Sequence, residues 1–453
     1  MTTPTFTSAT LYQVATFFQA MSLASVLDAE PAAEGHARIL LVTNSGEYPE
    51  ITPSVAEIPG FAALESTFDR VIDFNATIWP HHPRAYYVDD TQAPFTEAAF
   101  RSLWGLDGVE VSLCLAWTPT LPPGFTLARV FADSPISVHF DGLMSFGPLP
   151  GNLPEEFLDR FTGVTYLDIV PGVRPTLLPS EDLHHHVHPV GALRAVVEKV
   201  AAEVPAEEFA AVPESGAALL VGQYVANLGL ISHADEIAMH VAMAERAAAI
   251  GARSVVFKPH PSSPMGLVGE VEAAARTNGL DFHLLDTAVP VEVFLARVTP
   301  TAVISCYSTA LTTADRVFGV PVEAVWTDRV LEALAPYENS NRIPLTLIDL
   351  QYGQGASAAE DGVHAEVTDA ERGDLVTAIA YCMQPILCRA HRETAEAFLA
   401  AHYPRFARYF KRRRLTRLDL PGRLPPKAPA PIRKVGLLRR VARRVRRVSR
   451  RRR

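Results

Sequence analysis

Short runs of consecutive apolar residues recur along this chain and alternate with alanine-rich stretches of helical character. The runs are rich in leucine and β-branched residues and lie at residues 38–43, 109–116, 217–221, 254–257 and 301–305. Strands that are apolar along their whole length are typical of parallel sheets with helices on both faces. The pattern therefore predicts an α/β fold built on parallel sheets.

The clearest single unit covers residues 217–261. A strand at 217–221 leads into Gly222 and Gln223, and Ser232 is the predicted N-cap of a helix, with Asp235 three residues later as in a capping box. The helix is expected to end near Gly251, before a strand at 254–257. This order predicts a β-α-β crossover. At the start of the chain, a short strand near Phe6 and a buried helix through Leu27 are expected.

Domain boundaries are predicted from changes in composition. Between residues 171 and 189 the apolar pattern gives way to Pro, Gly and a cluster of histidines at 184, 185, 186 and 188, which we interpret as a linker loop. We expect a Rossmann-like domain over residues 1–175, a second over 176–403 and a basic segment over 404–453. A helical stretch at 390–402 is expected to pack back onto the body.

Charge divides the chain more sharply than its overall composition suggests. The 453 residues are 48% hydrophobic and carry a formal net charge of −9, but 21 of the 41 Lys and Arg residues follow residue 404, beside one acid, Asp419. Leu438, Val441, Val445 and Val448 recur at helical spacing among arginines, and residues 421–431 resemble a linker. This predicts an amphipathic tail helix that binds an anionic membrane surface. A nucleic-acid partner is disfavoured because the tail has few aromatic residues and the rest of the chain is acidic.

The ends and the cysteines indicate location. The first 27 residues carry no charged side chain, so the basic region of a secretory signal is missing, and their polar residues disfavour a membrane span. Cys114, Cys306, Cys382 and Cys388 show neither disulfide nor zinc spacing. The histidine cluster has no carboxylate or cysteine pattern beside it that supports a metal. We expect a cytoplasmic protein, peripheral on the inner face of the cell membrane, without a metal or other cofactor.

Three segments at the predicted carboxyl ends of strands carry side chains suited to chemistry, because ligands of doubly wound sheets bind there. Asp141, followed by Gly142, could accept a proton from a hydroxyl, or it could simply form an Asp-Gly turn. Lys258 and His260 stand in a loop stiffened by prolines and suit a phosphate, unless the loop is only a rigid turn.

The third segment precedes a predicted helix. Ser308 and Thr309 could cap that helix, and they could also offer hydroxyl and backbone N–H groups to a phosphate. Together, the three segments place an acid in one domain opposite a phosphate site in the other. A cleft between two Rossmann-like domains that binds a nucleotide-linked donor is the simplest geometry that unites them.

In this order and spacing the segments resemble the bacterial polysialyltransferases and the related lipooligosaccharide sialyltransferases. The resemblance includes the opening Ala-Thr-Leu-Tyr-Gln-Val from residue 9, Gly-Gln-Tyr-Val from 222, Phe-Lys-Pro-His-Pro from 257 and Ser-Cys-Tyr-Ser-Thr from 305. It implies a GT-B fold and metal-independent, inverting transfer of sialic acid from CMP-sialic acid, or of a similar sugar from a related CMP-sugar, to a glycan or glycolipid acceptor.

The resemblance also implies roles for individual residues. Asp141 matches the general base, and His260 matches the histidine that meets the CMP phosphate. The remaining candidates lie on the donor side of the site: Lys258, Pro261, Ser308, Thr309, Gly222, Gln223 and, as a ribose contact, Glu292. The first acid of the family's acidic motif is replaced by Phe140, which leaves the acceptor range and polymerisation open. A surface acid at a helix start is the other interpretation of Glu292.

Two other classes of function remain open from the sequence. Glycerophosphotransferases that build teichoic acids share a Lys-x-His-Pro segment and a Tyr-Ser-Ser/Thr segment, although they typically have Asp where this chain has Cys306. CMP-Kdo is also a possible donor. A non-catalytic protein that binds nucleic acid or membrane through its tail is the alternative from a different class.

Overall fold

The computed structural model describes residues 6–30, 33–116, 119–149, 153–176, 183–210, 212–213, 215–260, 263–353 and 367–425. The predicted amphipathic helix at 438–448 and the candidate Pro261 lie outside these ranges. Within them, no helix combines the length and the apolar composition that crossing a membrane requires.

The first unit is built on a seven-stranded parallel sheet in the order β3-β2-β1-β4-β5-β6-β7. Its strands are Ser8–Val14, His36–Val42, Arg70–Asp73, Glu110–Leu115, Ile136–Phe140, Phe161–Leu167 and His184–His188 (β1–β7). Its helices are Phe17–Leu27, Phe74–Ile78, Ala93–Trp104, Gly124–Val130 and Glu155–Leu158 (α1–α5). Strand β2 is buried on both faces, since Ile39, Leu40 and Leu41 are all inaccessible to solvent, as its continuous apolar pattern predicts.

The second unit is built on a five-stranded sheet in the order β10-β9-β8-β11-β12, again with parallel pairs. Its strands are Ala217–Val221, Ser254–Lys258, Asp281–Leu284, Val303–Ser305 and Val322–Ala324 (β8–β12). Its helices are Val190–Glu203, His233–Ala249, Met265–Thr277, Val291–Arg297, Thr309–Thr313, Thr327–Ala333, Arg342–Tyr352 and Asp369–Met383 (α6–α13). The predicted crossover of β8, α7 and β9 is confirmed, and Ser232 caps α7 by accepting a hydrogen bond from the Asp235 amide.

Both sheets place their first strand beside their fourth, which is the strand order of Rossmann folds. Two such units in one chain confirm the predicted fold class, the α/β GT-B architecture. Ligands of doubly wound sheets bind beyond the carboxyl ends of the strands, where the strand order reverses. In the second sheet this reversal lies between β8 and β11, so the segments that begin at Gly222 and Cys306 flank it.

The interpretation of the histidine cluster as a linker is wrong. His184–His188 forms strand β7, which pairs in parallel with β6 from Gly163 opposite His184 to Leu167 opposite His188. The first sheet therefore continues past residue 175, and the exact division into domains stays a prediction. The strand lacks an apolar pattern because it is an edge strand and most of its side chains are exposed.

The basic segment predicted to begin at residue 404 is in part folded. Helices Arg392–Phe406 (α14) and Arg412–Leu418 (α15) continue the second unit, and Phe406, Tyr409 and Leu415 are fully buried. The arginines are held by specific partners, since Arg414 donates to the carbonyl of Cys382 at 2.6 Å and pairs with Glu338 at 2.6 Å. These buried positions could not be recognised in the sequence, because Lys and Arg residues surround them.

Candidate active site

The loop that carries Asp141 contacts the second unit directly. Asp141 and Gly142 follow β5, and the next amide, that of Leu143, donates a hydrogen bond of 3.4 Å to the Thr309 hydroxyl at the start of α10. A Cβ atom on Gly142 would lie 3.1 Å from the same hydroxyl, so the close approach favours glycine. The loop that carries the predicted acid and the predicted hydroxyl, 168 positions later in the chain than Asp141, therefore lie next to each other.

Asp141 is partly buried and is hydrogen-bonded to the side chain of Gln19 on helix α1. Gln19 accepts a hydrogen bond from the Ala15 amide through its carbonyl oxygen at 2.8 Å, which leaves its NH₂ group as the donor to Asp141. Burial raises the pKa of Asp141 to about 6, although the hydrogen bond from Gln19 opposes the rise. A carboxyl group with this pKa is largely ionised at neutral pH and is still basic enough to accept a proton in a reaction.

Lys258 ends strand β9, and His260 stands in the loop that follows it. The Lys258 ammonium donates to the carbonyl of Thr287 at 2.6 Å, and burial lowers its pKa to about 8, against the opposing charges of Glu292, Asp286 and Glu208. The ring of His260 stacks on Tyr224, with centroids 5.4 Å apart and an angle of 8° between the planes. The pKa of His260 is lowered, chiefly because surrounding atoms displace water, although part of the residue stays exposed.

The loop of residues 258–260 lies against Gly222 at the end of β8. The Gly222 amide donates to the Lys258 carbonyl at 2.9 Å, and a Cβ atom on Gly222 would lie 3.1 Å from both the His260 nitrogen and the Pro259 Cα. A side chain at this position would push against backbone atoms that have no freedom to rotate away. Gly222 thus fixes the place of the histidine loop through its lack of a side chain.

Gln223 holds together the two segments at the strand reversal. Its side-chain carbonyl accepts hydrogen bonds from the amides of Cys306 at 3.2 Å and Tyr307 at 2.8 Å. The backbone amide of Gln223 donates to Nε2 of the buried His240, at 3.0 Å. The structure gives this residue a positioning contact, and its predicted contact with the donor stays a prediction.

Ser308 is the N-cap of α10, and its hydroxyl accepts a hydrogen bond from the Ala310 amide at 3.2 Å. The predicted helix start is confirmed at this position. Thr309 faces the Asp141 loop, as described above. Both residues are partly exposed, so their hydroxyl groups and the adjoining amides stand where a ligand between the two units can reach them.

Glu292 is buried, so the interpretation of it as a surface acid is wrong. It lies at the start of α9 and accepts a hydrogen bond of 2.7 Å from the Thr313 hydroxyl. Burial raises its pKa and the charge of Asp141 adds to this rise, whereas Thr313 and the Lys258 ammonium oppose it. The two acids and the lysine are therefore electrostatically coupled across the units.

The structure thus links the described candidates: the Asp141 loop contacts Thr309, the charges of Asp141 and Lys258 both act on the buried Glu292, and Gly222 lies against the loop that carries His260. Sequence reasoning missed the side chains that orient them: Gln19, Tyr224 and His240. Tyr224 directly follows the candidates Gly222 and Gln223, and this position in the sequence is the signal that could have identified it. Gln19 could not be found, because it lies on a helix far from Asp141 in the chain.

Within the described ranges, no group of three His, Cys, Asp or Glu side chains could hold a metal ion. The four cysteines are all described, and they are buried with free thiols. Whether the reaction proceeds without a metal stays a prediction.

Comparison with protein families supports one assignment. Residues 132–325 match the family model described as alpha-2,8-polysialyltransferase. Over these residues the chain is similar to that family. The matched region begins before β5 and ends after β12, so it contains every candidate residue predicted from the sequence. The predicted family and the predicted enzyme class, a glycosyltransferase, are confirmed.

Solved structures are similar to the chain only at a low level. UGT2 of Phytolacca americana, complexed with UDP-2fluoro-glucose and pterostilbene, is 13% identical, with 86% of this chain and 99% of that chain covered and a TM-score of 0.38. MurG of Acinetobacter baumannii is 12% identical, with 86% and 94% covered and a TM-score of 0.38. MnaA of S. aureus with UDP is 12% identical, with 84% and 98% covered and a TM-score of 0.40. No curated protein matches the chain.

Proposed function

We propose that this protein transfers sialic acid from CMP-sialic acid to a hydroxyl of a cell-surface glycan or glycolipid, with inversion and without a metal ion. The observation that carries the proposal is the contact between the Asp141 loop and Thr309. It brings a candidate base from the first unit to the candidate phosphate-binding segments of the second.

The donor phosphate is assigned to the second unit. Lys258 supplies positive charge, because its pKa of about 8 keeps it mostly protonated at neutral pH. His260, stacked on Tyr224, supplies a hydrogen-bond donor, and the Ser308–Thr309 segment adds hydroxyl and amide groups. Donors fixed around the departing phosphate stabilise the charge that develops on it as the bond to the sugar breaks.

Asp141 is assigned to the acceptor. Its carboxylate takes the proton of the incoming hydroxyl, and Gln19 keeps the carboxylate oriented. Attack on the face of the sugar opposite the phosphate inverts the anomeric centre. CMP carries one phosphate, so the cationic and hydrogen-bonding side chains can balance its charge without a divalent ion.

The experiment that tests the proposal is calorimetric titration of CMP into the full chain, beside the variants His260→Ala and His233→Ala. We expect saturable CMP binding that His260→Ala weakens at least tenfold. His233 is exposed at the start of α7 and serves as the matched control, so its variant should bind as the parent does.

Two follow-up results decide the finer points. Transfer from CMP-sialic acid that persists in excess EDTA would support a reaction without a metal, and CMP-Kdo in the same assay tests the related donor. If CMP does not bind and CDP-glycerol or a UDP-sugar does, the proposal is wrong and a glycerophosphotransferase or another GT-B enzyme takes its place.

A tail that docks on the inner face of an anionic membrane is the second part of the proposal. It is supported by the arginine-rich composition of residues 426–453. Sedimentation with vesicles that contain phosphatidylglycerol tests it. A chain ended at Pro425 should lose most vesicle binding if the tail is responsible, and a strong dependence on salt is expected.

A further inference from the structure

A groove of about 810 Å³ lies between the end of the first unit and helix α13 with the turn that follows it, and none of its lining residues is assigned to the transfer reaction. One wall is formed by residues 172–176, and the other by α13 and the turn at 386–391. Its volume falls in the range of about 300–1,000 Å³ that ligand pockets usually have.

The walls of this groove are largely apolar. Val173, Val376 and Leu387 line it, and Ile386 and Leu158 stand at its edge with 85% and 44% of their surfaces exposed. Apolar side chains that border a concave apolar surface mark a place where a ligand or partner can remove them from water. The groove therefore offers favourable contact to a hydrocarbon chain.

Two arginines give the same groove a positive charge. Arg174 and Arg389 line it and are exposed, and neither forms an ion pair with a carboxylate anywhere in the described ranges. Asp374 is the carboxylate among the lining residues. A guanidinium group matches the geometry of a phosphate and binds it through paired hydrogen bonds. Charge complementarity thus selects an anionic headgroup for the occupant.

We propose that this groove binds an amphiphile with a phosphate-type headgroup and at least one alkyl chain. The apolar walls take the chain, and Arg174 and Arg389 take the headgroup. Free inorganic phosphate shares the chemistry of the headgroup but cannot use the walls, so chain-length dependence separates the two sources.

The groove also adjoins the segment that carries Asp141. Thr176, which lines it, donates a hydrogen bond of 2.7 Å to the carbonyl of Phe146, at the end of the short helical turn Leu143–Phe146 that follows Gly142. An amphiphile held here lies next to the turn that follows Asp141 and Gly142, which suits the lipid part of a glycolipid acceptor. This link to catalysis rests on the proposed function, whereas binding in the groove does not.

Titration of n-octyl and n-decyl phosphate into the full chain, below their micelle concentrations, tests the proposal. We expect saturable binding in a ratio of one to one, with the decyl compound about fifteenfold tighter, because each buried methylene contributes roughly fourfold. Decyl maltoside should bind more weakly, and inorganic phosphate should not compete at equal concentration. Equal affinity for inorganic phosphate and the alkyl phosphates would overturn the proposal.

Variants locate the binding. Ile386→Asp, and Arg174→Gln combined with Arg389→Gln, should each weaken decyl phosphate binding about tenfold or more. Ile51→Asp, at a position that is 81% exposed, and Arg84→Gln are the matched controls outside the groove, and they should bind as the parent does. Unchanged affinity in both groove variants contradicts the proposal.

A thermal melt and a CMP titration of each variant separate the possible failures. The changed side chains are exposed, so the melting temperature should stay that of the parent. Loss of decyl phosphate binding in a folded variant that still binds CMP supports the groove. Binding of decyl phosphate by a chain that fails to bind CMP would leave the groove in place and refute only the proposed donor site.

Discussion

Replacement of Asp141 by Asn should slow transfer strongly and yet make the fold more stable at alkaline pH. The amide keeps the size of the side chain and one oxygen that can accept the hydrogen bond from Gln19, but it can neither carry a charge nor accept the proton. We expect the transfer rate to fall about 10²–10⁴-fold, the usual contribution of a positioned general base. The gain in stability is expected because burial disfavours the ionised form of the Asp141 carboxyl group in the folded protein.

The magnitude follows from the pKa of the group. Burial raises the pKa of Asp141 from 3.8 to about 6. The folded state therefore holds the proton more tightly than the unfolded state, so the stability that this carboxyl contributes is present below pH 3.8 and is lost as the pH rises through about 6. Two pKa units correspond to roughly 3 kcal/mol, which we reduce to about 1–2 kcal/mol because the side chain is partly exposed.

The assay is denaturant unfolding of parent and Asp141→Asn at pH 5 and pH 8. The variant should be the more stable protein at pH 8, and about half of its advantage should develop between the two pH values. Asp107→Asn, at an exposed turn, is the control and should show no such trend. A variant that is less stable than the parent at pH 8, or a difference that stays constant with pH, would refute the reasoning.

Two further predictions follow from the same structure. Gln19→Leu removes the donor that lowers the pKa of Asp141, so the acidic limb of the kcat/KM profile should move up by about one pH unit, and an unchanged limb would contradict the assigned contact. A chain ended after Pro425 should melt as the full chain does. One ended after Tyr403 loses the buried aromatic residues between 406 and 410, and it should not fold cooperatively, since each such loss costs about 3–5 kcal/mol.

The strands and the crossover helix could be predicted because their signals are local. Residues 39–42 and 255–257 are apolar without interruption, and they lie on β2 and β9, which are interior strands of their sheets. Ser232 and Asp235 likewise indicated the start of α7, because the capping hydrogen bond joins residues only three positions apart. Such patterns depend only on neighbours in the chain, so the sequence contains them in full.

Strand β7 and helix α15 could not be predicted for the opposite reason. His184–His188 has no apolar pattern and is ordered by backbone pairing with β6, a partner that the chain positions only after folding. The arginines near residue 412 suggested a solvated segment, but the buried Leu415 and the carbonyl groups of α13 hold it on the second unit. In both cases the energy comes from contacts between distant segments.

By itself, the sequence determined the class of the fold, the family and the residues that follow the strands. It pointed to Asp141, Lys258, His260 and the Ser308–Thr309 segment because charged and hydroxyl side chains in loops after buried strands stand out locally. Only the tertiary structure decided that the Asp141 loop meets Thr309, that Gln19 sets the environment of the acid and that Gln223 orients a turn. A hydrogen bond between distant residues leaves no periodic trace in a sequence, because its geometry is fixed by the packing of whole sheets and helices.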